Sequence, residues 1–268
     1  MLSKKILVIG SLHYDIFLNS PSLPRTGETV TGYNWYPKLG GKGGNQAIAV
    51  SFNGVSVKLI SAVGKDNFSQ YILESLKKKN IDIKYIQQLE NCNSGMSVAI
   101  SDKNGDYGAV IVSGANLNIN TDILSDVNLW SDIKILMLQN EIDENVNIQA
   151  AKKAKENGVK IFYNAAPAKK INLDLYKFID VLLVNTVEAG DIIEKKIVDI
   201  EDIKTASKIL SNKVPIVIVS AGEKGVVLCE KNKTPIHFEG LKVQVTSTHG
   251  AGDTFAGTFC SAFALGKN

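Results

Sequence analysis

The stretch Ile6-Leu7-Val8-Ile9-Gly10 is a continuous apolar run that ends at a glycine. A strand buried on both faces has this composition, because neither face meets water. Five later runs share the pattern, and they cover residues 57–63, 133–138, 159–163, 181–184 and 216–219. Their recurrence predicts an interior sheet whose strands are mostly parallel.

Helical patterns lie between several of these runs. Residues 67–79 place Phe68, Ile72 and Leu76 on one side, and residues 144–157 form a second amphipathic pattern that Gly158 closes. Strands that alternate with helices imply right-handed crossovers, which cover both faces of a parallel sheet. We therefore predict an α/β fold with a mostly parallel sheet and helices on both faces.

Two regions break this alternation. Residues 28–36 alternate in the way typical of a half-exposed strand, and residues 97–100 and 107–112 are two β-type runs. The linker between these two runs contains Asn104-Gly105, a strong hairpin signal. We predict a small β-sheet attached to the main domain, which would act as a lid if it covers a cleft.

The composition excludes several classes of protein. The chain has 268 residues, of which 44% are hydrophobic, so one large α/β domain or two small ones could form a sizeable core. Its 30 basic residues nearly balance 27 acidic ones and are spread along the chain, which argues against a nucleic-acid partner. Three cysteines without short spacing favour a reducing, cytoplasmic location. No run approaches the ~18 apolar residues that span a bilayer, so no membrane partner is expected.

The most informative stretch for chemistry is residues 247–253, which read Ser-Thr-His-Gly-Ala-Gly-Asp. They follow a strand-like stretch, residues 241–246, and precede an apolar helical pattern. Gly250, Ala251 and Gly252 would expose backbone N–H groups at a helix N-terminus, which forms an anion site. Asp253 could serve only as a favourable N-terminal charge. A carboxylate beside an anion hole also suits phosphoryl transfer, because it can accept the proton of an attacking hydroxyl.

A glycine-rich loop, Gly40-Gly41-Lys42-Gly43-Gly44, precedes a helical pattern. Glycines let a backbone approach a ligand closely. The loop is not a Walker A motif, because Lys42 is followed by Gly43 and not by Ser or Thr, and it is not a complete G-x-G-x-x-G fingerprint. From these residues alone, a structural turn and a binding site both remain open.

The segment Asn185-Thr186-Val187-Glu188 follows the buried run at 181–184. Ligands bind beyond the carboxyl ends of strands in open α/β sheets. The same residues also suit a helix N-terminus, with Asn185 or Thr186 as the cap and Glu188 at the capping-box position. Local reasoning favours the cap and allows a ligand.

Taken together and in this order, these stretches resemble the ribokinase/PfkB carbohydrate kinase family. The family pattern runs Gly-Ser-x-x-x-Asp, Gly-Gly-Lys-Gly-x-Asn-Gln, Asn-x-x-Glu, Gly-x-x-Gly and Gly-Ala-Gly-Asp. The matching segments are residues 10–15, 40–46, 185–188, 222–225 and 250–253. The resemblance covers nearly the whole chain.

The resemblance implies one ribokinase-like domain over residues 1–268, a doubly wound α/β fold with lid segments at about 15–38 and 95–113. It implies an ATP-dependent kinase that phosphorylates a hydroxyl or hydroxymethyl group of a small sugar, with ATP and Mg²⁺ as cofactors. Asp253 would be the base, within an anion hole of Gly250, Ala251 and Gly252. The other implied contacts are His13, Asp15, Gly41, Lys42, Asn45 and Glu141 with the sugar; Asn185, Ser220, Gly222 and Gly225 with the nucleotide; and Glu188, through water, with Mg²⁺.

The chain departs from the family pattern at three places. His13 replaces an asparagine that usually contacts the sugar, so we expect ribose not to be the best acceptor. Ser247 replaces an aspartate that often helps to bind a monovalent cation, which leaves K⁺ activation open. The sequence ends at Asn268, and we expect the C-terminal family elements beyond the anion-hole helix to be absent.

Other functions remain open at this point. The same fold supports nucleoside kinases, in which His13 and Tyr14 could contact the base. A sugar-binding protein that has lost phosphorylation would also fit the shorter C-terminus. A nicotinamide dehydrogenase does not fit, because Gly10 is not followed by the glycine fingerprint of that class. Apolar residues at 110–112 would allow a homodimer that pairs through the lid.

Overall fold

The computed structural model describes residues 5–104, 106–245 and 247–267. The strands within these ranges are β1 Lys5–Ile9, β2 His13–Asn19, β3 Asn34–Gly40, β4 Ser56–Gly64, β5 Ile86–Leu89, β6 Gly95–Ser101, β7 Tyr107–Val112, β8 Ile133–Gln139, β9 Lys160–Asn164, β10 Val181–Asn185, β11 Ile216–Ser220, β12 Val226–Glu230 and β13 Ile236–Phe238. The α-helices are α1 Lys42–Phe52, α2 Asn67–Lys78, α3 Glu144–Glu156, α4 Leu173–Tyr176, α5 Thr186–Ile193, α6 Ile200–Leu210 and α7 Ala251–Ala264.

The larger sheet has the strand order β13-β12-β11-β10-β9-β8-β1-β4-β5. The pairs from β11 through to β5 are parallel, whereas β12 and β13 join antiparallel at one edge. The six apolar runs predicted to be buried strands form β1, β4, β8, β9, β10 and β11, so that prediction is confirmed.

Both faces of this sheet are covered. Successive residues of β1 enter different hydrophobic clusters: Leu7 and Ile9 pack on the side of α3 and α6, whereas Ile6 and Val8 pack on the side of α1, α2 and α7. All four side chains are fully buried, as the continuous apolar run predicted. The predicted α/β fold class is therefore confirmed.

Local signals set the helix boundaries. Helix α2 begins with a capping box between Asp66 and Ser69, and Gly158, with φ of +68°, follows the last turn of α3. Helices α1 and α7 pack closely at Gly257, where an added β-carbon would lie 2.5 Å from the Ala49 β-carbon. This contact brings the glycine-rich loop next to the start of α7.

The smaller sheet has the order β3-β2-β6-β7 and contains the predicted lid strands. Strand β2 pairs antiparallel with β3 and parallel with β6, and β6 pairs antiparallel with β7. The linker between β6 and β7 is organised by Asp102, whose Oδ1 accepts hydrogen bonds from the N–H groups of Asn104 and Asp106. Gly105, part of the predicted turn, lies outside the described residues.

One predicted strand is misplaced, and another does not form over its described residues. The strand predicted at 28–36 begins only at Asn34, because its partner β2 ends at Asn19, opposite Asn34. The strand-like stretch at 241–246 forms no strand over 241–245, and Thr246 lies outside the described residues. Leu241, Val243 and Val245 there are exposed, since no strand pairs with them beyond the sheet edge.

In the part of the chain that the structure describes, no helix combines the length and the apolar character that a membrane crossing requires.

Candidate active site

The candidate site lies where several parallel strands end. Strands β10 and β11 end at Asn185 and Ser220, and β8 ends at Gln139, two residues before Glu141. The first turn of α7 approaches the same edge, because α7 packs on the glycine-rich helix α1. This edge is the one at which open α/β sheets bind ligands.

Asp253 lies in the first turn of α7, which begins after Gly250 with φ of +72°. The Asp253 side chain is only 6% exposed. Its Oδ2 accepts a hydrogen bond of 3.0 Å from Asn45 Nδ2, and its Oδ1 accepts one of 3.1 Å from Gln46 Nε2. Two amide donors on α1 therefore fix both oxygens of one buried carboxylate.

Burial raises the pKa of Asp253 above that of an ordinary aspartate, while Lys42 and the two amide donors lower it in part. Desolvation is the largest cause, and Glu141 adds to the increase by charge repulsion. A carboxylate with a raised pKa is a stronger proton acceptor, which suits general-base chemistry.

A cavity of about 220 Å³ adjoins Asp253. Its lining is mostly polar and comes from the start of α1, the ends of β9, β10 and β11, and the start of α7. The residues that line it are Lys42, Asn164, Ala166, Leu183, Val184, Asn185, Glu188, Ser220, Thr248, Gly250, Gly252, Asp253 and Phe255. Six predicted site residues other than Asp253 thus surround one space beside the carboxylate.

The glycine-rich loop is held by Glu141. Its Oε2 accepts hydrogen bonds from the backbone N–H of Lys42, at 2.9 Å, and from the Ser11 hydroxyl. Gly41 precedes α1 with φ of +85°, and an added β-carbon would lie 2.7 Å from the Ser11 carbonyl oxygen. Positive φ and this close approach together explain the glycine. Glu141 thus orders the loop.

Strand β2 of the smaller sheet carries Asp15, whose Oδ1 accepts a hydrogen bond from the Ser97 hydroxyl on β6. Burial raises the pKa of Asp15, and the hydrogen bond from Ser97 lowers it in part. A β-carbon at Gly40 would lie 1.7 Å from Asp15 Oδ2, so only glycine leaves room for this carboxylate.

His13 lies two residues before Asp15 and is 3% exposed. Its Nε2 has no hydrogen-bond partner among the described residues. A buried ring nitrogen without a partner costs free energy, so this atom is available to a group that the protein itself does not supply.

Asn185 and Glu188 form the capping box of α5. Asn185 Oδ1 accepts from the Glu188 N–H at 2.8 Å, and Glu188 Oε2 accepts from the Asn185 N–H at 2.8 Å. Burial raises the pKa of Glu188, while the bond from Asn185 and the charge of Lys42 lower it in part. Both residues also line the cavity, so Asn185 and Glu188 cap the helix and face the cavity at the same time.

A second, wider groove of about 940 Å³ shares Thr248 with the cavity. Gly222, Ser247 and Ala251 line it, together with the exposed apolar residues Leu241, Val243 and Val245. Gly225 is not among the residues that line the cavity or the groove. A β-carbon there would lie 2.0 Å from the Phe238 carbonyl oxygen, so Gly225 permits close packing against β13.

Three site contacts were not predicted. Gln46 belongs to the glycine-rich motif, and its side-chain oxygen accepts a hydrogen bond from the Gln139 side chain. The Asn116 side chain accepts from the N–H of Leu12 and donates to the carbonyl oxygen of Leu12. All three are fully buried amides. Gln46 stood in the family motif, and Gln139 ends an apolar strand, but no local pattern joined these residues to Asp253 or to Leu12.

The family resemblance implied a bound Mg²⁺ ion, which needs side chains that can hold it. Within residues 5–104, 106–245 and 247–267, no group of three or more His, Cys, Asp or Glu side chains could hold a metal ion. Glu188 is one carboxylate on the cavity wall, which fits contact with a hydrated ion that phosphate oxygens also bind.

The family model described as pfkB family carbohydrate kinase matches residues 3–268. The ribokinase of Lactococcus lactis subsp. lactis (strain IL1403) is 34% identical, over 98% of this chain and 84% of that protein. The ribokinase of Haemophilus influenzae (strain ATCC 51907 / DSM 11121 / KW20 / Rd) is 31% identical, over 99% and 87%.

Solved structures have the same fold as this chain. The Arabidopsis thaliana ribokinase complexed with ribose and ATP superimposes with a TM-score of 0.91 at 29% identity, covering 99% of this chain and 88% of that one. The Burkholderia thailandensis nucleoside kinase in complex with inosine shares the fold, with a TM-score of 0.80 at 17% identity over 98% of this chain and 85% of that one.

Proposed function

Since the chain belongs to the pfkB family of carbohydrate kinases and is an ATP-dependent carbohydrate kinase, we propose that its acceptor is a small furanose sugar and that Asp253 deprotonates the acceptor hydroxyl. One observation carries the proposal of the base. Asp253 is buried, held by two amide donors, and adjoins a polar cavity at a helix N-terminus. A proton acceptor and a helix N-terminus suited to an anion thus lie on the same cavity, as phosphoryl transfer requires.

Each group of the protein would have its own role in the reaction. Asp253 accepts the proton of the attacking hydroxyl, and the backbone N–H groups of Gly250 and Gly252 hold the negative charge of the transferred group. The third predicted donor, the Ala251 N–H, donates to the Thr248 carbonyl oxygen at 3.2 Å. Asp15 and Asn45 would orient the sugar from the lid and from α1. The ATP phosphates would lie in the cavity beside Lys42 and Asn185, with the base of the nucleotide towards the groove that continues past Thr248.

Mg²⁺ would neutralise phosphate charge when it is bound. Glu188 would hold it through water, from its place on the cavity wall. Replacing Glu188 by glutamine should raise the Mg²⁺ concentration needed for half-maximal activity, because a neutral amide attracts a hydrated cation less than a carboxylate does. A Mg²⁺ titration of the steady-state rate measures this.

The same variant also separates the two roles of Glu188. A glutamine oxygen can still accept from the Asn185 N–H, so the cap of α5 should persist. Asp202→Asn changes the equivalent position of the α6 capping box and is the matched control. If Glu188→Gln and Asp202→Asn both leave the Mg²⁺ requirement unchanged, Glu188 is a capping residue only.

The finer substrate proposal rests on His13. His13 stands two residues before Asp15, in place of the asparagine that is usual in the family, and its buried Nε2 has no partner among the described residues. A sugar whose hydroxyls are placed to bond to both His13 and Asp15 should therefore be preferred over ribose. One buried hydrogen bond gained or lost changes binding by about 1–3 kcal/mol, which is roughly tenfold or more. His13→Asn should therefore shift preference towards ribose.

A panel of sugars and nucleosides with ATP and Mg²⁺, read by ADP release, tests the proposed function and the role of His13 together. Ribose as the best acceptor of the unmodified protein would contradict the His13 argument. If a nucleoside is the best acceptor, the proposed reaction stays the same but its acceptor is a nucleoside and not a sugar. Sugar binding without any ADP release would indicate a sugar-binding protein.

We also propose that two copies pair through the lid. Strand β7 is an edge strand, and Val110, Ile111 and Val112 on it are 69%, 57% and 51% exposed. An edge with exposed apolar residues on both faces favours pairing with another strand. Sedimentation velocity should show a dimer that Ile111→Lys weakens, whereas Val127→Lys, at an exposed residue outside the sheets, should not; a monomer at all concentrations contradicts the pairing.

A reducing compartment such as the cytoplasm is consistent with Cys92, Cys229 and Cys260, which are all free thiols.

A further inference from the structure

Two fully buried glutamines connect the central sheet to Asp253. Gln139, the last residue of β8, donates from Nε2 to Gln46 Oε1 at 2.7 Å. Gln46, on α1, donates from Nε2 to Asp253 Oδ1 at 3.1 Å. Both glutamine side chains have no exposed surface. The base is therefore the last member of a directional chain of hydrogen bonds.

The direction of this chain matters because an amide has one donor end and one acceptor end. With the Gln46 oxygen occupied by Gln139, its NH₂ group must face the Asp253 carboxylate. If the Gln46 amide were reversed, its oxygen would face the carboxylate and would disfavour the ionised form of Asp253.

Gln139 is closely surrounded at both its backbone and its side chain. Its backbone oxygen accepts a hydrogen bond of 2.8 Å from Asn147 Nδ2. Its side-chain oxygen lies against Gly10, where an added β-carbon would be 1.9 Å away, and it has no partner among the described residues. The NH₂ end of Gln139 is the end that meets Gln46.

We propose that Gln139 is a positioning residue that holds the Gln46 amide with its donor towards Asp253 and thereby sets the pH range in which the base works. This rests on the proposed role of Asp253. The hydrogen bond from Gln46 lowers the pKa of Asp253 against the larger effect of burial. The charged groups around the Asp253 carboxylate are Lys42, which also lowers this pKa, and Glu141 and Glu188, which repel the carboxylate.

The test follows the ionisation of Asp253 directly, without an acceptor. In protein labelled with ¹³C at the aspartate carboxyl carbons, the Asp253 resonance is the one that Asp253→Asn removes. In Gln139→Met, its titration midpoint should move to higher pH by about one unit, the size of one hydrogen bond to a charged group. Gln139→Asn, too short to reach Gln46, should move it in the same direction if the methionine variant does not fold.

A double-mutant cycle tests whether Gln139 acts through Gln46. Gln46→Met should give a shift at least as large, and adding Gln139→Met to it should change nothing further. Asn147→Leu removes another buried amide, whose side chain donates to the backbone of Gln139 and not to its side chain, so it should affect stability and leave the midpoint unchanged.

An unchanged midpoint in Gln139→Met, or additive shifts in the double variant, would overturn the proposal even if Asp253→Asn abolishes turnover. Full turnover in Asp253→Asn would instead remove the base assignment on which the proposal rests.

Discussion

Replacing Asp253 by asparagine is expected to lower turnover by about 10²–10⁴-fold, the usual contribution of a general base. An amide has nearly the size of a carboxylate and can remain in the buried place at the start of α7. It cannot accept the proton of the acceptor hydroxyl at neutral pH. The effect should therefore fall on kcat, while the affinity for ATP changes little.

The structure also predicts a small cost in stability. Asn45 and Gln46 each donate to one oxygen of Asp253, so an asparagine can satisfy only one of the two donors. Steady-state kinetics with the best acceptor and a thermal melt measure the two effects. Asp174→Asn, at an exposed aspartate in the first turn of α4, is the control and should change neither. Near-normal turnover in the Asp253 variant would contradict its role as the base.

Gly41→Ala is expected to lower the stability of the fold by several kcal/mol, the sum of about 1–3 kcal/mol of backbone strain and about 1–3 kcal/mol of overpacking. Gly41 has φ of +85°, and its β-carbon would lie 2.7 Å from the Ser11 carbonyl oxygen and 2.9 Å from the Leu12 α-carbon. These are backbone atoms, which cannot move aside as a flexible side chain can. Both effects should lower the free energy of unfolding.

Gly158→Ala separates these two contributions. Gly158 also has positive φ, of +68°, but no atom lies within 4 Å of its added β-carbon. Its alanine variant should lose only the strain energy, about 1–2 kcal/mol. Urea unfolding followed by circular dichroism gives both values. Equal losses in the two variants would show that the close approach to Ser11 is relieved without cost.

The sequence predicted those parts of the fold that depend on local patterns. Continuous apolar runs identified the six central strands, and the periodicity of residues 67–79 and 144–157 identified α2 and α3. The strand at 28–36 was misplaced because its extent depends on where β2 ends, which is not a local property. Leu241, Val243 and Val245 alternate like a strand, but no neighbour pairs with them.

In the candidate site too, local motifs were predictable and contacts between distant residues were not. Ordered motifs identified Asp253, Asn185 and Glu188, which lie together on one cavity. The hydrogen bonds from Gln139 to Gln46 and from Gln46 to Asp253 join residues that are 93 and 207 positions apart, and no spacing rule predicts such pairs. Gly225 permits the close approach of β13, and its contact with the nucleotide stays a prediction.

The contact between α1 and α7 at Gly257 has a consequence for the synthesis of the protein. A ribosome releases the chain from its N-terminus at about 5–20 residues per second, and early segments begin to fold before later ones exist. Asn45 and Gln46 leave the ribosome about 200 residues before Asp253, which they will hold. During that interval the glycine-rich loop lacks the helix that packs against it. A nascent chain that already contains the four strands of the smaller sheet and most of the larger one therefore still lacks the proposed proton acceptor, and we expect activity only after α7 has docked.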